Sequence, residues 1–521
     1  MKKLIGIVMS VVVSTALMAV PARRTGWVRT ATDGTQKTVY LHGDETFHYL
    51  TDDAGTWVDE QTLLPLSEEV KGERMKMRAE SRRIAQLKQV GTERLLAPRG
   101  AIILVSFQDK AFESTNAQMT DWAMGANYTE NGGTGSIHNY FYDQSWGKYD
   151  LQIDVYGPVT VSQNYAYYGQ DSGGEGKDIR PDEMVVEACK LADSQCGADF
   201  SQYDYNNDGD VDWVVIVYAG LGQNDGGDAN TIWPHQNDLS YKGKTFKLDG
   251  KRVNHYCCLN EIDGITNIRS GIGVFCHEFS HIMGLPDLYT TDYSSHKTLG
   301  QWDIMDYGAY NNNVNTPPSY SAYERWWMGW FQPTLLNSAK SVELGDLNEQ
   351  NACYLTENGD TVKNILSPYP TVFYLLENRQ GSGWDAYQPG HGMLITRINY
   401  RRNWWVGNTV NNSASNMGVD ILEADGLAPS ADDGIGYLGK QGDTYPSGAD
   451  TFTKVTSYQV TNIQEVNKLI RFDVNGGDTP TGMETPGEQR TESQKIIRNG
   501  QLLILRGNKT YTILGNENHQ L

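Results

Sequence analysis

The chain has 521 residues, a length that predicts more than one hydrophobic core and two to four domains. Its 43 Lys and Arg against 64 Asp and Glu give a formal net charge of −21, which argues against nucleic-acid binding because phosphate contacts need clustered basic side chains. Thirty Tyr and 13 Trp exceed what a disordered acidic chain carries, so most of the chain is expected to fold.

The N-terminus, MKKLIGIVMSVVVSTALMAVPARR, has the pattern of a secretory signal. Two lysines precede an apolar run that ends near Val20, and small residues follow. We predict a signal peptide over residues 1–22, cleaved after Ala19 or Ala22, and a protein that is secreted or held at the cell surface. The competing interpretation is an uncleaved membrane anchor, for which the run is at the short limit of a span. No transmembrane segment is expected in the mature chain.

Residues 23–99 are predicted to form a propeptide. Their first part alternates polar and apolar residues, as in TVYLHGDETFHYLTDD, which indicates a small β unit. A basic, helix-prone stretch then leads to the continuous apolar run AIILVSF (101–107), which is typical of a strand buried on both faces. An exposed basic connector before a buried strand suits processing, so cleavage is expected near Arg94 or Arg99. The alternative is an ordinary N-terminal domain with a charged linker helix.

The six cysteines allow 15 disulfide pairings, and the sequence does not choose between bridges and free buried thiols. The first of them is Cys189, so a propeptide cannot block a metal with a thiolate. We expect latency to depend instead on a carboxylate such as Asp52 or Asp53, or on steric blockage of the cleft.

Residues 100–335 mix strand and helix patterns and are predicted to be the catalytic domain of an α+β protein. Strands are expected at YDLQIDVYGPVTV and VDWVVIVYAG, and helices at RPDEMVVEACKLADSQ and RSGIGVFCHEFSHIMG. Residues 336–475 carry short strand patterns with Gly and Asn turns, which indicates a β-rich domain. Residues 476–494 have the composition of a linker, and 495–521 form a tail with two or three short strand patterns.

The second predicted helix, RSGIGVFCHEFSHIMG, contains the candidate metal-binding and catalytic residues. His277 and His281 are four residues apart and therefore project from one helix face, where two imidazoles can bind one Zn²⁺. Glu278 lies about 100° round the helix, within reach of a zinc-bound water but not bound to the metal. Zinc would lower the pKa of that water, and the glutamate would take its proton.

A catalytic zinc needs a third protein ligand. Gly284 can end the helix in a left-handed conformation, and Pro286 prevents the helix from resuming. A reversed chain would then present Asp287 to the same metal. The alternative third ligand is Glu324 in SAYERWWMGW, because a glutamate from a second helix is the other common way to complete such a site.

The segment HEFSHIMGLPDLY resembles the zinc motif of the immune inhibitor A family of secreted bacterial metallopeptidases. This family is metzincin-like, with an aspartate as third ligand in HExxHxxGxxD. The segment QWDIMDYG resembles the Met-turn of such enzymes, which implies that Met305 lies beneath the histidines. The resemblance also implies that Tyr307 stabilises an oxyanion, whereas the residues alone suit a packed core tyrosine equally well.

The resemblance extends from about residue 100 to 476. SIHNYFYDQSWGKYDLQIDVYGPVTV is similar to the region before the active site, and VFYLLENRQGSGWDAYQPGHGMLITRINY is similar to the β-rich region after it. The propeptide-like start resembles leaders of secreted relatives from Bacteroidota. The closing IIRNGQLLILRGNKTYTILG resembles short C-terminal tails of that group, which implies a sorting signal.

A second metal is predicted in DYNNDGDVD, where the first half of an EF-hand loop is present. The twelfth position of that loop is Val215, not glutamate, so the full motif is absent, and an Asx-rich turn is the alternative. The predicted ligands of a structural calcium ion are Asp204, Asn206, Asp208, Asp210 and Asp212. Weaker sites of the same type are NDGGD (224–228) and SADDGIGYLGKQGD (430–443).

The sequence therefore predicts a secreted zinc endopeptidase that acts on proteins or peptides, with Glu278 as general base and calcium as a structural ion. The alternatives are a calcium-stabilised adhesin or glycan-binding protein with a degenerate site, and a metallohydrolase acting on a substrate other than a peptide. The intact set of two histidines, glutamate, glycine and aspartate argues against the adhesin. The enzyme is expected to act as a monomer.

Overall fold

A computed structural model of the chain describes residues 19–76, 96–171, 177–292, 294, 296–427, 438–477, 493–498, 501–506 and 509–512. The predicted signal peptide up to Met18, the processing position Arg94 and most of the predicted linker lie outside the described residues. Among the residues that are described, no helix is long and apolar enough to cross a membrane.

The N-terminal region forms a small antiparallel sheet, as the alternating pattern predicts. Its strands follow one another in chain order: β1 (Gly26–Thr30), β2 (Gln36–Asp44), β3 (Phe47–Thr51) and β4 (Trp57–Val58). Residues 68–76 are helical, which agrees with the helix-prone composition of that stretch.

A mixed five-stranded sheet lies at the centre, in the order β6-β5-β7-β11-β8. Its strands are β5 (Arg99–Ser106), β6 (Gln152–Thr160), β7 (Val214–Leu221), β8 (His235–Asp238) and β11 (His255–Ile262). All neighbours are parallel except β8, which pairs antiparallel with β11 at the edge. The continuous apolar run predicted as a buried strand is β5, and seven of its eight residues are buried. A separate hairpin consists of β9 (Phe246–Leu248) and β10 (Lys251–Val253).

The helices of the described residues include both predicted ones. They are α1 (Asn116–Met124), α2 (Ile137–Gln144), α3 (Tyr165–Tyr168), α4 (Pro181–Cys196), α5 (Gly273–Ile282), α6 (Ala322–Trp327) and α7 (Arg402–Val406). Helix α4 begins with a proline at its first position and is capped after Cys196 by Gly197, with a φ of 70°, so each end lies one residue later than predicted. Helix α5 begins four residues later than predicted.

The region after α6 forms two sheets. A five-stranded sheet in the order β12-β14-β15-β16-β17 contains β12 (Thr334–Leu335), β14 (Ala352–Leu355), β15 (Val372–Arg379), β16 (Gly392–Asn399) and β17 (Val419–Ile421). A three-stranded antiparallel sheet contains β13 (Lys340–Leu344), β18 (Val460–Val466) and β19 (Leu469–Val474).

The five-stranded sheet that contains β15 is buried on both faces, and one of these faces packs against the rest of the chain. In β15, Phe373 and Leu375 belong to the main core around the central sheet, whereas Tyr374 and Leu376 belong to a second core shared with the three-stranded sheet. Because strand side chains alternate between faces, this sheet has no free face along which a domain could separate.

The chain divides into two compact units, residues 1–477 and 478–521. The predicted boundaries at 99/100 and 335/336 both fall inside the first unit, since the main core runs from Val20 to Ile421. The second unit holds an antiparallel sheet of β20 (Ser493–Arg498), β21 (Gln501–Arg506) and β22 (Lys509–Thr512), in agreement with the strand patterns of the tail. All six cysteines are free thiols, and only Cys196 is exposed.

Candidate metal centre

Helix α5 is buried on every side, as expected of a helix that crosses a core. It begins where Gly273 donates its backbone N–H to the carbonyl of Val314, at 2.7 Å. A Cβ at this position would lie 2.0 Å from the carbonyl oxygen of Ala309. The start of the helix is therefore pressed against the segment that follows Met305, and only glycine fits there.

The helix ends as the sequence predicts. Gly284 has a φ of 96°, the left-handed conformation that favours glycine. The N–H groups of Gly284 and Leu285 donate to the carbonyls of His281 and Ser280, both at 3.0 Å. The turn reverses the chain, and Asp287 returns to the helix face that carries the two histidines.

The two imidazoles are held in one tautomer. Nδ1 of His277 lies 2.7 Å from the carbonyl oxygen of Ile304, and Nδ1 of His281 lies 2.8 Å from that of Leu285. Because a carbonyl only accepts, each Nδ1 carries the proton, and each neutral Nε2 presents a lone pair. The two Nε2 atoms lie 3.2 Å apart, an arrangement that is repulsive unless a cation lies between them.

The carboxylate of Asp287 completes a triangle of ligand atoms. Its Oδ1 is 3.2 Å from Nε2 of His277 and 3.2 Å from Nε2 of His281. A tetrahedral zinc ion with ligands at 2.0–2.1 Å sets its ligand atoms about 3.3 Å apart, so this donor set fits zinc. Burial raises the pKa of Asp287, but the two adjacent imidazoles lower it by more than burial raises it, and the carboxylate is favoured.

Residues from distant parts of the chain hold this triangle in place. Asn408 donates its side-chain N–H to Oδ2 of Asp287 at 2.6 Å and accepts the backbone N–H of Asp287 at 2.8 Å. Met305 is fully buried, and its carbonyl accepts the N–H of Leu288 at 2.8 Å. The predicted Met-turn therefore packs against the segment that carries Asp287, next to the carbonyl of Ile304 that orients His277.

Glu278 stands beside this set but does not belong to it. Its Oε1 accepts the backbone N–H of Val20 at 2.6 Å. Burial raises the pKa of Glu278 well above its usual value, the Val20 bond lowers it, and the nearby charges of Asp287 and Glu45 raise it again. The raised pKa makes this carboxyl group easier to protonate.

Glu324, the alternative third ligand, lies outside the cluster. It is at the third position of α6, where Oε2 accepts the N–H and the hydroxyl of Ser321 in a capping box. Two groups of His, Cys, Asp or Glu among the described residues bring ligand atoms within 4.8 Å of one another, and neither includes Glu324. One is the triangle around α5; the other is His48, Glu60 and Asp171.

A segment from the start of the described chain fills the groove beside Glu278. We call residues 19–24 the strap. Its carbonyls each accept a bond from a side chain: Ala19 from Tyr289 at 2.5 Å, Val20 from Trp233 at 3.1 Å, Pro21 from Tyr310 at 2.6 Å and Ala22 from Tyr307 at 2.7 Å. Tyr307, predicted as an oxyanion stabiliser, thus binds the carbonyl of Ala22. This carbonyl is three residues after that of Ala19, which shares a peptide bond with the Val20 N–H.

Arg23 of the strap enters a buried acidic pocket. Its Nη1 lies 3.0 Å from Asp225 and forms a short ion pair with Asp263, and its Nη2 donates to Asn313 at 3.0 Å. Burial raises the pKa of Asp225 to about 6, although the charge of Arg23 lowers it. For Asp263, the charge of Arg23 and bonds from Thr266 outweigh burial, and the pKa falls.

The two carboxylates proposed for latency from sequence do not face the metal centre. Asp52 accepts the N–H groups of Ala54 and Thr56 in its own turn, and Asp53 accepts the hydroxyl of Tyr40. The carboxylate of the N-terminal sheet that lies near the centre is Glu45, which is 6% exposed. Burial and the charges of Asp44 and Asp287 raise its pKa.

The predicted calcium loop is held by bonds within the protein. Lys251 pairs with Asp204 at 2.6 Å, Arg252 pairs with Asp210, and Asp212 accepts the N–H of Tyr205 at 2.6 Å. The amides of Asp208 and Gly209 bond to Asp204, and Asn206 bonds to Asp208. A calcium ion would have to displace the two basic side chains, and its presence stays a prediction.

The two weaker calcium sites have other partners or fall outside the described residues. In NDGGD, Asp225 binds Arg23 and Asp228 accepts the N–H of Asn230. In the second segment, residues 428–437 are outside the described part, and Asp443 accepts the indole N–H of Trp302.

Sequence reasoning missed the strap, its acidic pocket, Tyr289 and Asn408. Residues 20–24, VPARR, overlap the end of the signal-peptide pattern, which indicates cleavage positions but not binding in the cleft. The pocket aspartates are 38 residues apart in unrelated turns, so spacing gives no signal for them. Tyr289 was inside the quoted zinc motif, two residues after Asp287, and is the one that local position could have suggested.

Comparisons with known proteins relate the chain to metallopeptidases. Residues 105–332 match the family profile described as "Immune inhibitor A peptidase M6, catalytic domain". The chain is 30% identical over 230 residues to "Immune inhibitor A" from Bacillus thuringiensis subsp. alesti, a match that covers 38% of the chain and 32% of that protein. It is 29% identical over 239 residues to "Pre-pro-metalloprotease PrtV" from Vibrio cholerae serotype O1 (strain M66-2), covering 42% of the chain and 26% of that protein. The chain thus spans about a third or less of the length of these relatives.

The first prediction separates the two candidates for the third ligand. Asp287→Asn is expected to lose stoichiometric zinc, because it removes the anionic oxygen that faces both histidines. Glu324→Gln is expected to keep about one zinc ion per chain, because Glu324 caps a different helix. Zinc per chain, measured by inductively coupled plasma mass spectrometry after dialysis, decides between them, and the reverse pattern would reinstate Glu324.

The second prediction concerns the residue that orients Asp287. Asn408→Ala is expected to weaken zinc binding by about 10–100-fold, the usual effect of losing a group that positions a ligand. Competition with a chromophoric chelator measures this affinity. Asn412→Ala, which alters a nearby asparagine bonded to Thr291 and not to Asp287, is the control and should leave the affinity unchanged.

Proposed function

We propose that the chain, whose residues 105–332 match the catalytic domain of the immune inhibitor A family of metallopeptidases, is a secreted zinc endopeptidase made in a latent form. One observation carries the proposal: Nε2 of His277, Nε2 of His281 and Oδ1 of Asp287 converge with separations of 3.2 Å. The proposed architecture is a metzincin-like catalytic domain followed by a β-rich region and preceded by a propeptide. Proteins or peptides are the proposed substrates.

The residues of the site divide the work as follows. A zinc ion held by His277, His281 and Asp287 would polarise a water molecule and the substrate carbonyl. Glu278 takes a proton on its carboxylate and returns it to the nitrogen of the leaving amine. The raised pKa of Glu278, caused first by burial, suits a group that carries a proton between two steps.

Two tyrosines line the groove and have different positions relative to Glu278. The hydroxyl of Tyr289 donates to the carbonyl of Ala19, which belongs to the same peptide bond as the Val20 N–H that Glu278 accepts. The hydroxyl of Tyr307 donates to the carbonyl of Ala22. This supports Tyr289 as the hydroxyl near the reacting carbonyl, and Tyr307 as a group that binds the substrate backbone further along.

Latency is supported by the strap. Its backbone occupies the groove, and the N–H of Val20 uses the carboxylate that the reaction needs. Steric blockage, one of the two mechanisms expected from sequence, therefore has a specific candidate. The buried Glu45 beside Asp287 is the better-placed carboxylate of the N-terminal sheet, in place of Asp52 and Asp53.

The third prediction tests latency. Arg23→Ala is expected to raise casein cleavage by the unprocessed chain about tenfold or more, because losing one partner of a buried charge pair typically costs about 2–5 kcal/mol and frees the strap. The rate is measured on protein whose intact mass shows no cleavage near residue 99.

Arg24→Ala is the matched control for that experiment. It removes the same charge one residue later, where the side chain is only partly buried and lies 4.4 Å over the ring of Tyr307. A small effect of this change is expected. Equal activation by both variants, or none by Arg23→Ala, would contradict the strap as the blocking element.

The fourth prediction tests the general base. Glu278→Gln in the Arg23→Ala chain is expected to lower the rate of casein cleavage by about 10²–10⁴-fold, because the amide cannot accept the proton. Zinc content should stay equal, since Glu278 is not one of the three converging ligands. Cleavage that persists at full rate would contradict the mechanism.

The same assay separates the alternative functions. A chain that holds zinc but cleaves neither casein nor any peptide of a proteome-derived library would favour a metallohydrolase acting on another substrate. A chain that holds no zinc and cleaves nothing would favour the adhesin, in which the site is degenerate.

A further inference from the structure

We propose that Asp225 and Asp263 form a substrate-binding pocket that selects an arginine four residues beyond the cleaved bond on its C-terminal side. The inference rests on the proposed peptidase function and adds the class of substrate: polypeptides with a basic residue at that position. The observation behind it is the strap, which lies in the groove with Arg23 in this pocket.

The strap is held in two different ways. The carbonyls of its residues 19–22 accept bonds from side chains of Tyr289, Trp233, Tyr310 and Tyr307. Such bonds recognise any polypeptide, because every residue has a carbonyl. The backbone of the strap also bonds to the backbone, through Ala22 to Gly43 and Arg23 to Asn224. None of these contacts selects a sequence.

The strap contact that depends on residue type is made by the side chain of Arg23. It is 5% exposed and reaches three groups of the catalytic region, Asp225, Asp263 and Asn313. The guanidinium also lies 5.4 Å from the ring centre of Tyr310. A planar group with several N–H donors suits this arrangement, and the single ammonium of lysine would satisfy fewer of the acceptors.

The position of the reacting bond follows from Glu278 and Tyr289. Both contact the peptide group between Ala19 and Val20: Glu278 accepts its N–H, and Tyr289 donates to its carbonyl oxygen. In peptide hydrolysis the general base returns its proton to the leaving nitrogen, so the nitrogen of Val20 stands where that nitrogen would be. Counting from Val20 as the first residue after the cleaved bond, Arg23 is the fourth.

The pocket is built by the catalytic region and does not depend on the strap. Oδ2 of Asp225 accepts the N–H of Gly264 at 2.8 Å. Oδ1 of Asp263 accepts the N–H and the hydroxyl of Thr266 at 2.8 and 2.7 Å, while its Oδ2 faces Arg23. The carboxylates would therefore keep their positions when the strap leaves.

Removal of Arg23 leaves the carboxylates of Asp225 and Asp263 without the cation that pairs with them. Asp225 and Asp263 are 2% and 1% exposed. Burial raises the pKa of Asp225, the charge of Arg23 lowers it, and the charge of Asp263 raises it. Two buried carboxylates without a cation are unfavourable, and a basic substrate side chain is the group that restores the balance.

The test uses the full chain with residues 20–23 replaced by Gly-Ser-Gly-Ser, which removes the Arg23 anchor of the strap so that an added peptide can displace it from the groove. Binding is measured by fluorescence anisotropy with labelled Val-Pro-Ala-Arg-Arg and with the same peptide carrying alanine or lysine at the fourth position. We expect alanine to weaken binding about tenfold or more, and lysine to bind with intermediate affinity. Asp263→Asn should abolish the preference, and Asp228→Asn, an exposed aspartate of the same loop as Asp225, should leave it intact. Equal affinities for the arginine and alanine peptides would overturn the proposal.

Cleavage supplies the second measurement and separates the two hypotheses. In a digest of a proteome-derived peptide library, arginine should be enriched at the fourth residue after the cleaved bonds, and enrichment before the bond or none at all would overturn the pocket's assignment. Absence of all cleavage, together with a preserved arginine preference in binding, would contradict the peptidase function and leave the pocket supported.

A variant that keeps the strap guards against misfolding of the replaced chain. Arg23→Ala empties only the pocket, and ethylguanidinium is expected to raise the melting temperature of this variant more than that of the unaltered chain. An equal shift in both would contradict a preformed guanidinium site.

Discussion

The candidate site depends on two imidazole side chains on one face of the buried helix α5, whose Nε2 lone pairs point towards each other. Each Nδ1 is committed to a backbone carbonyl, so the two Nε2 atoms of His277 and His281 are forced together at 3.2 Å with no donor between them. Such an arrangement is unfavourable in the absence of a cation, and Asp287 adds a negative oxygen at the same spacing. The surrounding fold holds these three electron-rich atoms close together, and a bound cation would remove the repulsion between them.

The β-rich region packs against the catalytic region and also contributes to the candidate site. Its five-stranded sheet packs one face on the main core and the other on the second core. The loop between α7 and β17 then carries Asn408 to both the backbone and the carboxylate of Asp287. Asp287 is thus positioned by a residue 121 positions later in the chain.

The parts of the site that could be predicted are those set by local geometry. Two histidines one helical turn apart, a glycine that ends the helix and an aspartate after the turn are all within eleven residues, and Gly284 does adopt the expected positive φ. The buried strand β5 and helix α4 were predictable for the same reason. Asn408, Asp225 and Asp263 were not, because their roles arise from contacts between segments that no periodicity relates. The domain boundaries stay predictions; both lie within the compact unit of residues 1–477, and composition does not reveal that β15 is buried on both faces.

The strap relates maturation to the position of signal cleavage, which the sequence left open between Ala19 and Ala22. A cut after Ala19 keeps the carbonyl contacts of Val20, Pro21 and Ala22, and it leaves the amino group of Val20 beside Glu278 at the 2.6 Å seen for its N–H. A cut after Ala22 removes every one of these contacts and leaves Arg23 in its pocket, at the far end of the groove from Glu278. Of the two predicted cleavage positions, only the one after Ala19 keeps the strap in contact with Glu278. The charge pair of Arg23 then anchors a segment whose remaining bonds would hold any sequence.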